Sequence, residues 1–198
     1  LGLLILLNAV LVLMLFTASR RLGYLVLGAV GVAALAAVAM TLSVHARVRF
    51  EIWSDPFADP TGKGWQVLQG LSAMYSGGMW GAGIGAGIPQ AVPIAASDFV
   101  YAAWAEELGL AGCILLLVLY ATLFARGWRA GTAAPTPFAA LLGTGLTGAL
   151  AFQTILNVAG VTKALPLTGI PLPFISHGGS SLATTLVMAG LLAAVSDR

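Results

Sequence analysis

Apolar residues occupy five long blocks of the chain, and polar or proline- and glycine-rich segments separate these blocks. A transmembrane helix needs about 20 predominantly apolar residues, with a range of about 17–25. The blocks therefore predict an all-α, polytopic membrane protein with one transmembrane domain over residues 1–198. The predicted spans are residues 2–18, 22–44, 99–125, 138–161 and 182–195, and the long connections are residues 45–98 and 162–181.

The composition favours the same class and argues against others. Hydrophobic residues make up 59% of the chain, charged residues make up 8%, and the mean hydropathy is +0.97, which is typical of a membrane protein. The largest basic cluster is Arg20-Arg21, so we predict no nucleic-acid partner. Cys113 is the only cysteine, which leaves no disulfide framework and no thiolate metal site. Because the chain opens on hydrophobic sequence without methionine, we interpret it as the C-terminal part of a longer protein.

The basic residues predict the orientation of the spans. Short cytoplasmic loops of membrane proteins carry an excess of Lys and Arg. Five arginines fall in the two short loops and the tail on one side, namely Arg20, Arg21, Arg126, Arg129 and Arg198. We predict that this side is cytoplasmic, so that residues 45–98 and 162–181 face outside.

The first long connection carries patterns of its own. His45–Trp53 mixes charged and aromatic residues, as an interfacial segment does, and Asp55–Pro60 predicts two successive turns. Between Gly64 and Tyr75, residues recur at three- and four-residue spacing, which predicts a short amphipathic helix on the outer surface.

Glycines are concentrated between residues 77 and 87. A dinucleotide site would need a preceding strand, and a phosphate-binding loop would need the spacing G-x-x-x-x-G-K-S/T; neither is present, so we predict no nucleotide. The favoured interpretation is a tightly turning outer loop whose backbone comes close to other helices or to a ligand.

Three acidic residues lie at the start of the third predicted span. Ser97-Asp98 could cap the helix, or Asp98 could be a general base at the mouth of a membrane cavity, and a cap that fixes the side chain would allow both. Glu106 and Glu107 lie inside the span, where acids are costly, so we expect them to tie helices together or to line a polar cavity.

The second long connection contains PLTGIPLPFISHGGSS at residues 166–181, which is too rich in proline to be a helix. Irregular backbone is tolerated within a membrane only when it is buried in protein or lines a cavity, and we expect Pro171 and Pro173 to shape such a region. The hydroxyl groups and free amides suit phosphate or sugar oxygens, which makes candidates of Ser176, His177, Gly178, Gly179, Ser180 and Ser181. A single histidine without a partner is more often an ordinary hydrogen-bonding residue than a ligand.

Five segments together resemble the SEDS family, which comprises FtsW, RodA and SpoVE. They are Asp55–Pro60 with Gly64-Trp65-Gln66, Ser76–Gly87, Ser97–Gly109, Gln153–Val158 and Pro166–Ser181. The resemblance covers nearly the whole chain and implies the C-terminal half of a bundle with about twice as many spans. Two features depart from the family pattern: His177 replaces a tyrosine, and AVPIAAS precedes Asp98 where many relatives have a proline, an acidic residue and a His-Thr pair.

The resemblance implies a peptidoglycan glycosyltransferase of the bacterial cytoplasmic membrane. Such an enzyme polymerises lipid II at the outer face, works with a class B penicillin-binding protein, and serves division, elongation or sporulation. The family's essential aspartate corresponds to Asp98. The pyrophosphate leaving group needs cationic compensation from a divalent ion such as Mg²⁺ or Mn²⁺, or from basic side chains. The basic candidates on the correct side are Arg47, Arg49, Lys63 and Lys163.

Other functions remain open on these residues. A flippase for lipid-linked sugars would also have acids and broken helices near a cavity, but it needs a polar path to the cytoplasmic face, and the inner halves of the spans carry no charge. A non-catalytic scaffold that activates a penicillin-binding protein would leave Asp98 as a helix cap. The missing N-terminal half should complete the active site, so we expect this chain alone to be inactive.

Overall fold

The computed structural model describes residues 2–87 and 96–197. Regular structure within these ranges is helical, with one 3₁₀ turn at Pro56–Ala58. The helices are α1 (Gly2–Ser19), α2 (Gly23–Leu42), α3 (Val44–Ser54), α4 (Trp65–Gly77), α5 (Val100–Ala133), α6 (Pro137–Val161) and α7 (Gly179–Ser196).

Five of these helices, α1, α2, α5, α6 and α7, are long and apolar enough to cross a membrane. The prediction of an all-α membrane protein with five spans is therefore confirmed. The helix ends agree with the predicted spans to within a few residues, except that α5 continues to Ala133, well beyond the predicted end at residue 125.

The centre of the bundle is α6. Half of its most apolar stretch is buried, compared with 6% for α1. Small residues allow this close packing: a Cβ on Gly131 of α5 would lie 2.7 Å from the Thr144 nitrogen, and a Cβ on Gly148 would lie 2.1 Å from a methyl group of Leu13 in α1. Such small-residue contacts are the usual way for membrane helices to approach each other.

The first long connection contains the short helix and the first turn that the sequence pattern predicted. The interfacial segment forms α3, and the predicted amphipathic helix is α4. The first predicted turn is the 3₁₀ turn, where the Asp55 carboxylate accepts a hydrogen bond from the Phe57 N–H at 3.0 Å. Residues 88–95, which carry most of the AVPIAAS departure, lie outside the described residues.

Helix α5 is broken at Gly109, which has φ 66° and ψ −169°. The segments before and after the break fold towards each other. The Trp104 indole donates to the Gly112 carbonyl at 3.1 Å, and the side chains of Tyr101 and Cys113 hydrogen-bond. Residues twelve positions apart in a straight helix would be separated by about 18 Å along the axis. The straight span therefore begins after Gly109, and the predicted single helix from residue 99 is wrong at this point.

The glycine-rich loop after α4 fills the break. Ala82 and Gly83 N–H donate to the carbonyls of Glu106 and Glu107 at 2.9 and 3.0 Å. In return, the N–H groups of Leu110 and Ala111 donate to loop carbonyls at 2.9 and 3.1 Å. The loop backbone thus replaces the helical hydrogen bonds that the break removes, which matters because unpaired backbone groups are costly in an apolar environment.

Close approach explains the concentration of glycine. A Cβ on Gly81 would lie 2.1 Å from the Glu107 carbonyl oxygen, and a Cβ on Gly77 would lie 2.0 Å from the Ala105 carbonyl oxygen. The interpretation of this segment as a loop that packs tightly on a helix is confirmed.

Two glycines of this loop make a matched test. Gly81 and Gly85 have nearly equal φ values of 79° and 77°, but only Gly81 has atoms within 4 Å of its Cβ position. In the full-length protein, Gly85→Ala should cost only the left-handed backbone penalty of about 1–2 kcal/mol. Gly81→Ala should lower the thermal unfolding temperature more than Gly85→Ala does, because the new methyl group at residue 81 displaces the α5 backbone. Equal unfolding temperatures in detergent would contradict the packing of the loop in the break.

Candidate active site

A cavity of about 250 Å³ lies where α3 and α4 meet the start of α5 and the end of α6. Its walls carry one carboxylate and three basic side chains, namely Asp98, Arg49, Lys63 and Lys163. The remainder of the lining includes Trp53 and several aliphatic residues. The structure thus brings together four of the residues that the sequence singled out, from distant parts of the chain.

The backbone around Asp98 is held by the second long connection and by α6. Three successive carbonyls each accept a hydrogen bond: Ala96 from the His177 N–H at 2.6 Å, Ser97 from the Ser176 hydroxyl at 2.6 Å, and Asp98 from the Asn157 amide at 3.1 Å. These bonds fix the turn that precedes α5 and therefore fix the position of the Asp98 side chain.

The Asp98 side chain does not cap α5. The helix begins at Val100 with Phe99 at the N-cap position, and Phe99 makes no side-chain capping hydrogen bond. The N-cap position is thus one residue later than the Ser-Asp signal predicts. The carboxylate lines the cavity instead.

Arg49 lies beside Asp98. Its guanidinium donates to the Thr168 carbonyl at 2.9 Å. A Cβ on Gly169 would lie 3.3 Å from Arg49 Nη2 and 3.6 Å from Asp98 Oδ2, and Gly169 has φ 72°. Both charged groups therefore adjoin the space where a side chain at residue 169 would lie.

The two lysines reach the cavity from turns. Lys163 follows α6 with φ 60°, and its carbonyl accepts a hydrogen bond from the Trp53 indole at 3.0 Å. Lys63 lies before α4, where its backbone N–H donates to the Asp59 carboxylate at 3.0 Å. Trp53 and Asp59 thus fix the backbone of the two lysines.

Arg47 lies outside this cavity. Its guanidinium donates to the carbonyls of Met40 and Thr41 at the end of α2. Cationic side chains commonly satisfy free carbonyls at helix C-termini. The structure therefore separates Arg47 from the other three basic candidates.

Only Ile170, Leu172, Pro173 and Ser176 of the proline-rich segment are buried, and most of its other residues are partly exposed. The Pro171 carbonyl accepts from the Gln153 amide at 3.2 Å, and the Pro173 carbonyl accepts from the Tyr120 hydroxyl. The Ser176 hydroxyl is occupied as well, because it accepts from the Leu172 N–H at 2.7 Å and donates to Ser97. Ser176 therefore fixes the backbone and does not line the cavity that was expected to bind substrate.

The remaining polar candidates lie at the start of α7. His177 is exposed, Gly178 is the N-cap residue and Gly179 opens the helix. Ser180, Ser181 and Pro171 line a different cavity of about 340 Å³, together with Gln153 and residues of α7. The predicted substrate-binding residues thus do not lie together: Arg49, Lys63 and Lys163 line the charged cavity, Ser180 and Ser181 line another, and Arg47 lines neither.

Glu106 and Glu107 lie at the break in α5 and not in the Asp98 cavity. Glu106 is buried. A Cβ on Gly87 would lie 3.2 Å from Glu106 Cδ and 3.1 Å from Glu107 Cγ. Both acids therefore adjoin the glycine-rich loop.

The sequence reasoning assigned no role to Asn157. Its amide bridges the carbonyls of Asp98 and Ile170, at 3.1 and 2.7 Å. The sequence did offer a signal for Asn157, because an amide side chain is uncommon in a largely apolar helix and this one lies in a segment that resembles a family motif. Its partners could not be read from the sequence because they are backbone carbonyls of distant segments.

A larger apolar cavity adjoins the charged one. It has a volume of about 460 Å³ and lies between α1, α2 and α3. Most of its lining is aliphatic, with contributions from Leu4, Leu35, Val38, Ala39 and Leu42. Arg49 lines both cavities, so a charged group and a hydrocarbon chain of one ligand could bind on either side of it.

The side chains that line the charged cavity do not supply the ligands that a divalent metal ion needs. Mg²⁺ needs several oxygen ligands in near-octahedral geometry. Among residues 2–87 and 96–197, no three or more His, Cys, Asp or Glu side chains are grouped as a metal site. One carboxylate among three basic groups favours an anion more than a cation.

Known proteins resemble this chain over most of its length. Peptidoglycan glycosyltransferase RodA of Mycobacterium tuberculosis is 42% identical over 181 residues, which cover 91% of this chain and 39% of the relative. Stage V sporulation protein E of Bacillus subtilis is 36% identical over 189 residues, which cover 93% of this chain and 51% of the relative. The chain thus spans about two fifths to half the length of these relatives.

A solved structure has the same fold. That structure was solved to explain the structural coordination of polymerization and crosslinking by a peptidoglycan synthase complex. It superposes with a TM-score of 0.72 at 31% identity, over 99% of this chain and 55% of that chain. The cell cycle protein family that is named for FtsW, RodA and SpoVE matches residues 1–198. The chain therefore belongs to the FtsW/RodA/SpoVE family.

Proposed function

We propose that the protein containing this chain is a peptidoglycan glycosyltransferase that polymerises lipid II, and that Asp98 is its general base. The observation that carries the proposal is a cavity with a single carboxylate, three basic side chains and an apolar neighbour that shares Arg49. Relatives named as peptidoglycan glycosyltransferases support the reaction class.

The reaction needs a base and a stabilised leaving group. The Asp98 carboxylate accepts the proton of the acceptor sugar's hydroxyl while the oxygen attacks the anomeric carbon of the donor. The new glycosidic C–O bond forms as the bond to the lipid pyrophosphate breaks. A positioned base typically contributes about 10²- to 10⁴-fold to such a reaction.

The three basic groups suit the departing pyrophosphate. Arg49 can donate to phosphate oxygens through a planar guanidinium, and Lys63 and Lys163 supply point charges. Fixed positive charges in a partly desolvated site stabilise negative charge that develops in the transition state. If a divalent ion takes part, substrate phosphate oxygens would supply most of its ligands, because the cavity offers a single carboxylate.

The apolar cavity suits the polyprenyl chain of the substrate. Because Arg49 borders both cavities, the pyrophosphate would sit at the junction of the charged and the aliphatic walls. Lipid-linked substrates have this division between an anionic head and a hydrocarbon tail.

The location and partner belong to the same proposal. The arginines between the spans support an orientation in which Asp98 faces the outside of the bacterial cytoplasmic membrane. The similarity to a chain of a peptidoglycan synthase complex supports a class B penicillin-binding protein as the partner.

The alternatives find less support. The scaffold hypothesis leaves Asp98 as a cap, which it is not. A flippase needs a polar path through the membrane, but the buried hydroxyls of Thr144, Thr147 and Thr154 in α6 donate to carbonyls of their own helix. Each of these hydroxyls therefore has no proton left to donate and could only accept a hydrogen bond from a sugar.

Asp98→Asn should abolish polymerisation, because the amide cannot accept the proton. We expect a loss of about 10²- to 10⁴-fold in glycan-chain formation by the full-length protein with its penicillin-binding partner. The matched control is Glu51→Gln, which removes an exposed carboxylate of α3 outside the cavity. The measurement is the polymer yield from purified lipid II, compared between wild type and the two variants at equal folded yield. Normal polymerisation by Asp98→Asn would reject the assignment of Asp98 as the base. If the wild type made no polymer but moved lipid II across vesicle membranes, the flippase would be favoured.

Arg49 and Arg47 offer a second matched pair on one helix. Arg49→Gln should reduce kcat/KM by roughly tenfold or more, because it removes a donor to the leaving group. Arg47→Gln should leave kcat/KM nearly unchanged and affect only folded yield, because Arg47 bonds α2. Arg49→Lys should restore part of the rate by keeping the charge. Equal losses for the two glutamine variants would contradict the assignment of Arg49 to the site.

A further inference from the structure

The segment between Lys63 and Asp98 has an unusual composition for a connection between spans. Residues 64–97 contain no Asp, Glu, Lys, Arg or His. Loops in water are ordinarily rich in polar and charged residues, whereas segments in contact with lipid exclude charge. The proposed reaction does not require this absence of charge, so the segment needs an explanation of its own.

Large apolar side chains of this segment are exposed on the surface. Tyr75 is 90% exposed, Trp80 is 82% exposed and Ile84 is 84% exposed, and Met79 is also exposed. Exposed contiguous apolar surface marks contact with a membrane or with another protein. We name the stretch from Tyr75 to Ile84 the anchor loop.

The hydrogen bonds at the break in α5 fix the depth of the anchor loop. The loop is bonded to residues on both sides of Gly109. The helix from Gly109 to Arg126 is about 25 Å long, at a rise of about 1.5 Å per residue. The hydrocarbon core of a bilayer is about 30 Å thick. With Arg126 at one surface, the anchor loop lies near the opposite boundary of the hydrocarbon.

The anchor loop adjoins apolar surface of α5 that continues into the membrane-spanning region. Leu110 and Ile114 are exposed immediately beyond the break. Irregular backbone at this depth needs partners for its N–H and carbonyl groups, and the anchor loop finds them in α5, with which it makes four hydrogen bonds. Tryptophan and tyrosine favour this interfacial zone of a bilayer.

We propose that the anchor loop inserts into the lipid leaflet on the Asp98 side, with Trp80 and Ile84 in contact with acyl chains and Tyr75 nearer the headgroups. The partner surface is thus the bilayer itself. The anchor loop is hydrogen-bonded to α5, and α5 begins beside Asp98. Insertion of the loop therefore fixes the distance between the cavity and the membrane surface. This proposal does not depend on the reaction that Asp98 performs.

Spin labels test the insertion directly. Single cysteines replace Trp80 or Ile84 in the full-length protein, with Cys113→Ser and any other native cysteines removed, in nanodiscs of phosphatidylethanolamine and phosphatidylglycerol. Power-saturation spectroscopy measures collisions with oxygen, which concentrates in lipid, and with a water-soluble nickel chelate. We expect labels at 80 and 84 to collide mainly with oxygen.

Phe57→Cys provides the matched control. Phe57 is also exposed and apolar, but it lies in the turn between Asp55 and Asp59. A label there should collide mainly with the nickel chelate. Nickel collisions at 80 and 84 would place the loop in water and overturn the proposal. Labels shielded from both reagents would show that protein covers the loop, which would also overturn it. Two independently labelled positions guard against one variant that fails to fold.

Discussion

Backbone N–H and carbonyl groups in an apolar bundle must find partners, and this requirement shapes both irregular parts of the protein. At Gly109 the partners are backbone groups of the glycine-rich loop, which explains why a side chain at Gly81 would collide with α5. In the proline-rich segment the partners are side chains of α5 and α6, among them Tyr120 and Gln153. The two regions solve the same problem by different means.

The second solution also builds the candidate site. The residues that hold the proline-rich segment hold the turn before α5, since Asn157 bonds carbonyls of both and the Ser176 hydroxyl links both. With its backbone fixed on three successive carbonyls, Asp98 can direct its carboxylate into the cavity without a capping role. A side chain held in this way loses little conformational entropy when a ligand binds.

The sequence predicted the elements that depend on local pattern. The five apolar blocks and the three- to four-residue spacing of α4 are local signals, and both held. The fold-back at Gly109 was missed because AEELGLAG is compatible with continuous helix, where one glycine costs only about 1 kcal/mol; its left-handed φ is imposed by the loop that packs there. Arg47 and Arg49 could not be distinguished, because residues two apart on a helix face different directions and only the packing of α3 decides which one meets Asp98.

The charge pattern of the cavity also bears on what kind of ligand the chain has evolved to hold. Three basic groups and one carboxylate leave an excess of positive charge where α3, α4, α5 and α6 converge. Arg49 and Lys63 are exposed and Lys163 is partly exposed, so these charges meet solvent at the cavity and are open to a ligand. The excess is explained if an anionic group occupies the cavity and offsets it. Under the proposed function, the adjoining aliphatic cavity suits the hydrocarbon chain of a lipid-linked anion, and the Asp98 carboxylate accepts the proton of the attacking hydroxyl.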